Sequence, residues 1–325
     1  MLSVCIAAAG YASFSGAPRV LPGSGAGLAP LVATPALARN FAAPLQLRSS
    51  VLAASAAAAT APGSMPAELT PPKTNAVSRV LTGTAFAIIA VVVVTAMYPF
   101  VLSAAAFGFL FDKKRHRLND YVVQLWARLS MIIFGAGVTV ENAELLPPLG
   151  EPIMYCPNHC SFLDIFAISG YLPRPAKYIS KIEILKIPMI GWAMWFAKHI
   201  AIARTDRASQ LKTLKDAIET LQAGNSLVTF PEGTRSKDGR VADFKKGPFT
   251  MASRAGVRIV PISVIGTHLF MPPGAFVPGA IPRGVRIVVH EPIDPPAAKK
   301  EDEAMKKCKD AIISALPASM RPLDA

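Results

Sequence analysis

The chain of 325 residues has few charged side chains and few cysteines. Charged residues make up 17% of the sequence and hydrophobic residues 52%. This balance excludes a mainly disordered protein and is too apolar for an ordinary soluble domain. The four cysteines, at positions 5, 156, 160 and 308, are too few and too scattered for a disulfide framework, so we interpret them as free thiols.

The sequence also lacks the short motifs of several enzyme classes. It contains no G-x-S-x-G nucleophile elbow, no Walker phosphate loop and no H-E-x-x-H. Cys156 and Cys160 flank His159, but no second Cys/His pair stands at a zinc-like spacing, so we expect no metal site and no cofactor. Cys160 is a weak candidate for a covalent nucleophile, because side chains adjacent in sequence seldom reach the geometry needed.

Acidic residues are scarce. The 21 Asp and Glu stand against 34 Lys and Arg, a formal charge of +13 that favours phosphates, acidic lipids or acidic proteins as partners and by itself leaves nucleic acid open. The first acidic residue is Glu68, and residues 1–67 contain 20 Ala, eight Ser and three Arg. This composition predicts that residues 1–67 are an organellar transit peptide rather than part of a fold.

One long hydrophobic run indicates membrane association. The 32 residues from Val80 to Phe111 carry no formal charge, well beyond the ~18 that suggest insertion. The run is long enough for one tilted span, and Pro99 near its middle leaves a bent or re-entrant hairpin open. A second apolar stretch, Tyr121 to Val138, fits either an interfacial helix or a core helix of the following domain. We predict that residues 80–137 form a membrane-associated helical segment. The basic cluster Lys113, Lys114, Arg115 and Arg117 directly follows the apolar run and predicts the side of the membrane on which the following domain lies.

Beyond Gly137 the pattern changes to short β-rich runs that alternate with helical periodicity. This alternation predicts an α/β domain over residues 138–293, with helices packed on a mixed, largely parallel sheet. We also predict three helices. One ends near Gly224, one begins at Gly247-Pro248, and one runs from Glu301 to Ala315 within a C-terminal tail of residues 294–325. The predicted strands are Val138 to Asn142, Pro152 to Cys156, Lys177 to Ser180, His199 to Arg204, Ser226 to Phe230, Arg258 to Val264 and Gly284 to His290.

A first candidate site follows the second predicted strand. Ser161-x-x-Asp164 has the form of a helix-capping pair, with Ser161 at the N-cap. His159 can then fold over to meet Asp164 and become a general base that takes a proton from an alcohol. Unpaired N–H groups at the start of the helix could receive an oxyanion. The alternative is that Asp164 only caps the helix and His159 is an ordinary loop residue.

A second candidate site is Phe230-Pro231-Glu232-Gly233-Thr234-Arg235-Ser236, at the end of another predicted strand. Ligands bind at strand ends in α/β domains, Gly233 permits close backbone approach, and the planar fork of Arg235 suits phosphate. Lys181, Arg204, Arg207, Lys245 and Lys246 could also meet a phosphorylated substrate. The alternative is a polar turn with a surface Glu-Arg pair, surrounded by solvated charges.

In combination, these motifs resemble the glycerolipid acyltransferase family. Asn158-His159-x-Ser161-x-x-Asp164 is similar to its first motif, with the His-x4-Asp spacing, and Phe230 to Ser236 to its third. Ile202-Ala203-Arg204 lies where the family has a strand ending in Arg, although Ala203 replaces a common acidic residue. Ile259-Val260-Pro261-Ile262 resembles the fourth motif, and Phe244-Lys245-Lys246-Gly247 the basic stretch before a helix. The likeness extends from about Val138 to Pro292 and, with the transit-like leader, is to plastid-type 1-acylglycerol-3-phosphate acyltransferases.

The resemblance implies transfer of a fatty acyl group from a thioester to the sn-2 hydroxyl of lysophosphatidic acid, without an acyl-enzyme. It implies that His159 is the base and that Asp164 orients it. It further implies that the acceptor is bound by a larger set of residues, namely Asn158, Ser161, Arg204, Glu232, Gly233, Thr234, Arg235, Lys245 and Lys246. The implied partners are membrane lipids and either acyl carrier protein or coenzyme A as the acyl carrier, with no nucleic acid.

The implied location is a chloroplast membrane, the inner envelope, with the mitochondrion as the alternative. A glycerol-3-phosphate acyltransferase could use the same His-Asp pair on a smaller acceptor. Two alternatives belong to classes other than acyltransferases. One is a non-catalytic lipid-binding or scaffold protein, and the other is a lipid hydrolase that activates water.

Overall fold

The computed structural model describes residues 72–203 and 206–323. The predicted transit peptide and the candidate phosphate-binding residue Arg204 lie outside these described residues. The described strands are β1 Val138–Glu141, β2 Ile153–Pro157, β3 Lys177–Lys181, β4 Ile200–Ile202, β5 Leu227–Val228, β6 Arg258–Ile265 and β7 Val285–Val289. The helices are α1 Ala76–Phe111, α2 Arg117–Ile133, α3 Leu163–Tyr171, α4 Ile190–Phe196, α5 Arg207–Gln222, α6 Gly247–Ala255, α7 Thr267–Phe270 and α8 Glu301–Ala315.

The predicted α/β architecture is confirmed. All seven predicted strands are present and form one sheet in the order β1-β7-β6-β2-β5-β3-β4. Every neighbouring pair is parallel except β6 and β7. The central strand β2 is buried along its whole length, as a parallel strand covered by helices on both faces must be.

The sheet separates two hydrophobic cores, because successive side chains of a strand point to opposite faces. Ile153 and Tyr155 of β2 belong to one core, together with side chains of α2 and α3. Met154 and Cys156 belong to the other, which contains residues of α5, α6 and α8. The sheet therefore holds the carboxyl end of β2, where the first candidate site lies, rigidly between two packed layers.

The caps of the surface helices follow the sequence closely. Asp206 accepts hydrogen bonds from the N–H groups of Ala208 and Ser209 at the start of α5. Gly224 follows the end of this helix with a φ of +87°, which glycine adopts more easily than other residues. Helix α6 opens at Gly247 with Pro248 in its first turn, and α8 has the predicted bounds. The predicted helix end near Gly224, the predicted start at Gly247-Pro248 and the predicted bounds of α8 are therefore confirmed.

The long hydrophobic run forms a single helix, so the hairpin alternative is wrong. Helix α1 continues for 36 residues through Pro99, and Asn75 caps it by accepting a hydrogen bond from the Ser78 N–H at 2.7 Å. A proline inside a helix removes one hydrogen bond, but it does not end this helix. Among the described residues, α1 is the one helix long and apolar enough to cross a membrane, which by itself is weak support for a span.

Helix α2 lies between α1 and the globular part of the protein. Its inner side chains Ala127 and Met131 are buried, whereas Tyr121 and Leu125 are exposed. Trp126 Nε1 donates to the carbonyl oxygen of Ala90 on α1 at 3.3 Å. The helix begins at Arg117, four residues before the predicted stretch. It has features of both predicted alternatives, because one face packs in the core, as in a core helix, and the other is apolar and exposed, as in an interfacial helix.

A buried charge pair fastens α2 to the sheet. Lys177 Nζ on β3 lies 3.0 and 2.9 Å from the two carboxylate oxygens of Asp120 on α2 and also donates to the Ala197 carbonyl oxygen. Burial raises the pKa of Asp120 to about 7, against the opposing effect of Lys177. The neighbouring His199 imidazole is also buried, and burial lowers its pKa to about 3. Among the described residues, Lys177 is therefore the one full positive charge in contact with this buried carboxylate.

Candidate active site

His159 and Asp164 meet where β2 ends and α3 begins. Asp164 Oδ2 lies 2.8 Å from His159 Nδ1. The Asp164 side chain is fully buried and 11% of the His159 side chain is exposed, so the imidazole alone reaches the surface. The chain bends between the strand and the helix, and this bend joins two side chains that would not share a face of a continuous helix. The contact expected from the sequence is present.

The Asp164 carboxylate is also tied to the backbone at the start of α3. Oδ2 accepts hydrogen bonds from the N–H groups of Cys160 and Ser161, each at 2.9 Å. Ser161 Oγ accepts from the Leu163 N–H at 3.0 Å. Ser161 and Asp164 therefore form a capping pair, although Phe162 rather than Ser161 is the N-cap. We expected free N–H groups at the start of this helix to bind an oxyanion. The N–H groups of Cys160, Ser161 and Leu163 are already hydrogen-bonded to side chains, so for these three the expectation is wrong.

The arrangement fixes which nitrogen of His159 can act as a base. An ionised carboxylate only accepts hydrogen bonds, so Nδ1 carries the proton and Nε2 has the available lone pair. The imidazole stacks on Phe230, with ring centroids 3.8 Å apart and an interplanar angle of 21°. A histidine whose ring plane and tautomer are both fixed is suited to remove a proton from an alcohol at Nε2.

Glu232, expected to hold the acceptor, is nearly closed off from solvent and is bonded to the backbone of two loops. Its side chain is 3% exposed, and its two oxygens accept from the backbone N–H groups of His159 at 2.7 Å and Ala242 at 3.0 Å. Burial raises the pKa of Glu232 to about 7, opposed by these two hydrogen bonds. The carboxylate therefore joins the loop of His159 to the loop of Ala242, and it would repel a phosphate rather than bind one.

Asn158 and Ser161 also support the fold instead of facing a ligand. The Asn158 side chain is buried, donates to the Val264 carbonyl oxygen at 3.0 Å and accepts from the Val264 N–H at 2.7 Å. Ser161 Oγ donates to the Met271 carbonyl oxygen at 2.7 Å. Because their polar groups are already paired with the backbone, the expectation that these two residues contact substrate is corrected.

A cleft opens beside the imidazole. Its volume is about 630 Å³, and Phe230, the ring stacked on His159, forms part of its wall. Its remaining wall is mostly apolar and comes from the sheet, α5 and α6, through Ile179, Ile202, Leu211, Leu214, Pro248 and Met251. A ligand with an apolar chain could therefore lie in this cleft with one end at Phe230, the ring that stacks on His159.

Two positive side chains line the same cleft. Lys245 lies over Gly233, so close that a Cβ on this glycine would be 2.8 Å from Lys245 Nζ, and Arg207 lies at the start of α5. Within residues 72–203 and 206–323, neither cation has a carboxylate partner. Gly233 has a φ of +73°, so a side chain there would be strained as well as crowded. Lys245 and Arg207 are free to meet an anionic group.

Other expected binding residues lie elsewhere. Lys246 Nζ lies 2.8 Å from Asp302 Oδ2 on α8, and Lys246 does not line the cleft. Thr234 is exposed and Arg235 is half-buried on the loop after Gly233, but neither lines the cleft. The structure thus brings together His159, Asp164, Gly233 and Lys245 from the predicted set.

Cys160 is not placed for nucleophilic catalysis. The thiol is fully buried and contacts Thr267 Oγ1 at 3.2 Å. Burial raises the pKa of Cys160 well above its ordinary value, and the Asp164 carboxylate raises it further. Since the thiolate is the reactive form, this environment disfavours covalent chemistry at Cys160.

The comparisons with known proteins agree with this geometry. A family profile described as Acyltransferase matches residues 137–265. A 1-acyl-sn-glycerol-3-phosphate acyltransferase of Chlamydomonas reinhardtii is 43% identical over 207 residues, 64% of this chain and 61% of that protein. A chloroplastic 1-acyl-sn-glycerol-3-phosphate acyltransferase of Arabidopsis thaliana is 40% identical over 214 residues, 66% of this chain and 59% of that protein.

A solved structure gives the same result. The crystal structure of the 1-acyl-sn-glycerophosphate acyltransferase PlsC from Thermotoga maritima matches with a TM-score of 0.61 and 30% sequence identity, over 73% of this chain and 93% of that one. The chain spans about three fifths of the length of the first two relatives. These similarities in sequence and structure agree with the fold and with the contact between His159 and Asp164. They show that the chain belongs to the acyltransferase family that contains these enzymes.

Proposed function

We propose that this protein transfers a fatty acyl group from a thioester to the sn-2 hydroxyl of 1-acylglycerol-3-phosphate, which gives phosphatidic acid. The observation that carries the proposal is the His159 imidazole, fixed by Asp164, beside a cleft that combines apolar walls with Lys245 and Arg207. An acceptor with a hydroxyl, a phosphate and an acyl chain needs a base, a cation and an apolar surface. The names of the relatives support the same acceptor.

In the proposed reaction, His159 Nε2 removes the proton of the sn-2 hydroxyl while the oxygen attacks the thioester carbonyl carbon. The resulting imidazolium is stabilised by Asp164, whose Oδ2 accepts the His159 Nδ1–H and the backbone N–H groups of Cys160 and Ser161. Collapse of the tetrahedral intermediate breaks the C–S bond, and the sulfur leaves as a thiol with the proton returned by His159. No covalent acyl-enzyme is needed, because a thiolate is already a good leaving group.

The phosphate of the acceptor is proposed to bind Lys245 in the cleft. We expect Lys245→Ala to raise the KM for lysophosphatidic acid about tenfold with little change in kcat, because a hydrogen bond to a charged group contributes about 1.5–3 kcal/mol. Initial rates measured against acceptor concentration in mixed micelles would show this. Lys246→Ala is the matched control, since Lys246 is paired with Asp302. Equal effects of the two substitutions would contradict the proposed phosphate site.

We further propose that α1 lies within one leaflet of the membrane instead of crossing it. Near one end, Gly83 packs against Val277, which lies between α7 and β7. Near the other end, the Phe109 ring lies 6.1 Å from the Trp195 ring on α4. The 25 residues between these contacts extend ~38 Å, more than the ~30 Å of a hydrocarbon core. Both ends of α1 thus contact the same globular part, while its outer face is apolar and exposed.

This orientation predicts that both ends of α1 lie on the same side of the membrane. Single cysteines introduced at Ser78 and at Lys113 are expected to react equally with a membrane-impermeant maleimide, in vesicles whose catalytic domain faces outward. Both variants carry Cys5→Ser, and the remaining native Cys156, Cys160 and Cys308 are buried and give little background. Labelling of Lys113→Cys alone, with Ser78→Cys protected until detergent is added, would show that α1 spans the bilayer.

The finer parts of the proposal concern the donor and the compartment. The excess of basic residues supports an acidic carrier, either acyl carrier protein or coenzyme A with its phosphates. The leader composition, together with a chloroplastic relative, supports the chloroplast inner envelope, with residues 1–67 as the transit peptide and the mitochondrion as the alternative. We propose 138–293 as the catalytic domain and 294–325 as its C-terminal helix and tail.

The test is the product formed by the full chain in liposomes. Phosphatidic acid from lysophosphatidic acid, and no lysophosphatidic acid from glycerol-3-phosphate, is the expected result with at least one of the two acyl carriers. Acylation of glycerol-3-phosphate would instead assign the preceding acylation step. No product with either acceptor, from protein that is folded and lipid-bound, would favour a non-catalytic lipid-binding protein.

A further inference from the structure

Thr267 is a third side chain bound to the proposed catalytic pair. Its hydroxyl donates a hydrogen bond to Asp164 Oδ1, although the two residues are 103 positions apart. Thr267 is fully buried and opens α7, immediately after β6 and Gly266. Thr267 does not line the cleft.

The two oxygens of Asp164 differ in how they are held. Oδ2 receives three N–H donors, from the His159 ring and from the backbone of Cys160 and Ser161. Oδ1 receives the Thr267 hydroxyl, and its one other hydrogen-bond donor in the described part of the chain is the Cys160 thiol at 3.8 Å. A thiol is a weak donor, so Thr267 supplies most of the hydrogen bonding to Oδ1.

This asymmetry gives the Thr267 hydroxyl two effects. It fixes the rotation of the carboxylate, so that Oδ2 stays in line with His159 Nδ1. It also stabilises the negative charge of a carboxylate that has no access to water. Without this donor, the pair of His159 and Asp164 takes up a proton more readily, on either the carboxylate or the imidazole. A protonated pair cannot act as a base.

We propose that Thr267 is a positioning residue for the catalytic base, acting through Asp164, an assignment that rests on the proposed acyl transfer. Packing on both sides of the pair supports the assignment. Ser161 Oγ, at the start of α3, donates to the Met271 carbonyl oxygen just after α7. Helix α7 is therefore joined to the His159 and Asp164 segment through Thr267 near its start and Met271 after its end.

The test compares Thr267→Val, which removes the hydroxyl and keeps the shape, with Thr267→Ser, which keeps the hydroxyl. In Thr267→Val of the full chain, we expect kcat to fall about 30-fold with KM for lysophosphatidic acid unchanged within twofold, and the acid limb of the pH–kcat profile to move up by about one pH unit. Thr267→Ser should restore both to near the wild-type values. The other titratable groups near Asp164 are Cys160, Tyr178, Glu232 and His268, and all four side chains are kept in every variant. Thr267→Val also removes the contact of the Cys160 thiol with the Thr267 hydroxyl, and Thr267→Ser keeps it.

The matched control is Ser263→Ala, which removes another fully buried hydroxyl, one that contacts His290 and the Ile312 carbonyl oxygen. It should change neither kcat nor the pH profile. If Thr267→Val does not fold, Thr267→Ala and Thr267→Ser form a pair that differs only in the hydroxyl. Equal kcat and equal pH profiles in that pair, or in Thr267→Val and the wild type, would overturn the proposal.

A second readout separates this proposal from the proposed function. The rate at which diethyl pyrocarbonate modifies His159, obtained by subtracting the rate in His159→Ala, reports the protonation of the pair without turnover. We expect its pH dependence to move up by about one unit in Thr267→Val and to return in Thr267→Ser. Wild-type protein without acyltransferase activity would count against the proposed function, whereas an unshifted modification profile would count against the role of Thr267.

Discussion

We expect His159→Ala to form phosphatidic acid about 10³-fold more slowly than the wild-type chain, because a positioned general base contributes roughly 10²–10⁴-fold to a rate. This corresponds to about 4 kcal/mol of transition-state stabilisation. His159 is partly exposed and its neighbours Asp164 and Glu232 are held by backbone donors, so the fold should survive the substitution. The measurement is single-turnover acyl transfer with saturating lysophosphatidic acid, beside a thermal unfolding curve.

His290→Gln is the control for loss of a histidine. Its imidazole is largely buried and contacts Ser263 Oγ at 2.7 Å, and it does not line the cleft. The control should unfold at a lower temperature and retain its specific activity. A folded His159→Ala protein with more than a tenth of the wild-type rate would show that another group removes the proton.

We expect Lys177→Met to lower the free energy of unfolding by about 1–2 kcal/mol at pH 8, because a buried carboxylate without its partner must take up a proton, which costs about 1.4 kcal/mol per pH unit above its wild-type pKa. Asp120 is 5% exposed, and burial already raises its pKa to about 7. Without Lys177 that pKa rises further above the ordinary value of 3.8. A carboxyl group whose pKa is raised in the fold loses stability as the pH increases from its unfolded pKa to its folded pKa. The destabilisation should therefore be small near pH 4 and largest above pH 7.

Two further variants identify the cause. Asp120→Asn combined with Lys177→Met removes both charges and should recover most of the lost stability at pH 8. Lys212→Met removes an exposed lysine paired with Asp216 and should change stability by less than about 0.5 kcal/mol. Chemical unfolding at pH 5 and pH 8 would compare them. A double variant no more stable than Lys177→Met, or a loss independent of pH, would mean that Lys177 stabilises the fold through packing alone.

The fold was largely predictable because its information is local. Alternating and continuous apolar runs predicted all seven strands, and Gly224 and Pro248 marked helix ends. The contact between His159 and Asp164 was predictable for the same reason, since only five positions separate them at one strand-to-helix junction. The cap position was displaced by one residue, because Ser161 bonds the Leu163 N–H instead of the third N–H of the helix.

The functions of individual polar residues were predicted less well. Sequence motifs placed Glu232, Asn158 and Lys246 at the substrate, but each is paired with a group that is distant in sequence. No role was predicted for Thr267, because its partner Asp164 is 103 positions away and no local motif indicates the hydrogen bond between them. Arg207 was one of several basic candidates, and only the shape of the cleft distinguishes it.

By itself, the sequence determined where strands and helices form, that a long apolar helix precedes the domain, and which histidine and aspartate stand at a strand end. These features depend on residue periodicity and on neighbours within a few positions. The tertiary structure alone decided which polar groups are satisfied by the protein and which remain available to a ligand. It also decided that both ends of α1 contact one domain, and that Asp120 is paired with Lys177. Those outcomes depend on contacts between residues far apart in the chain, which form only when the sheet and its two helical layers pack together.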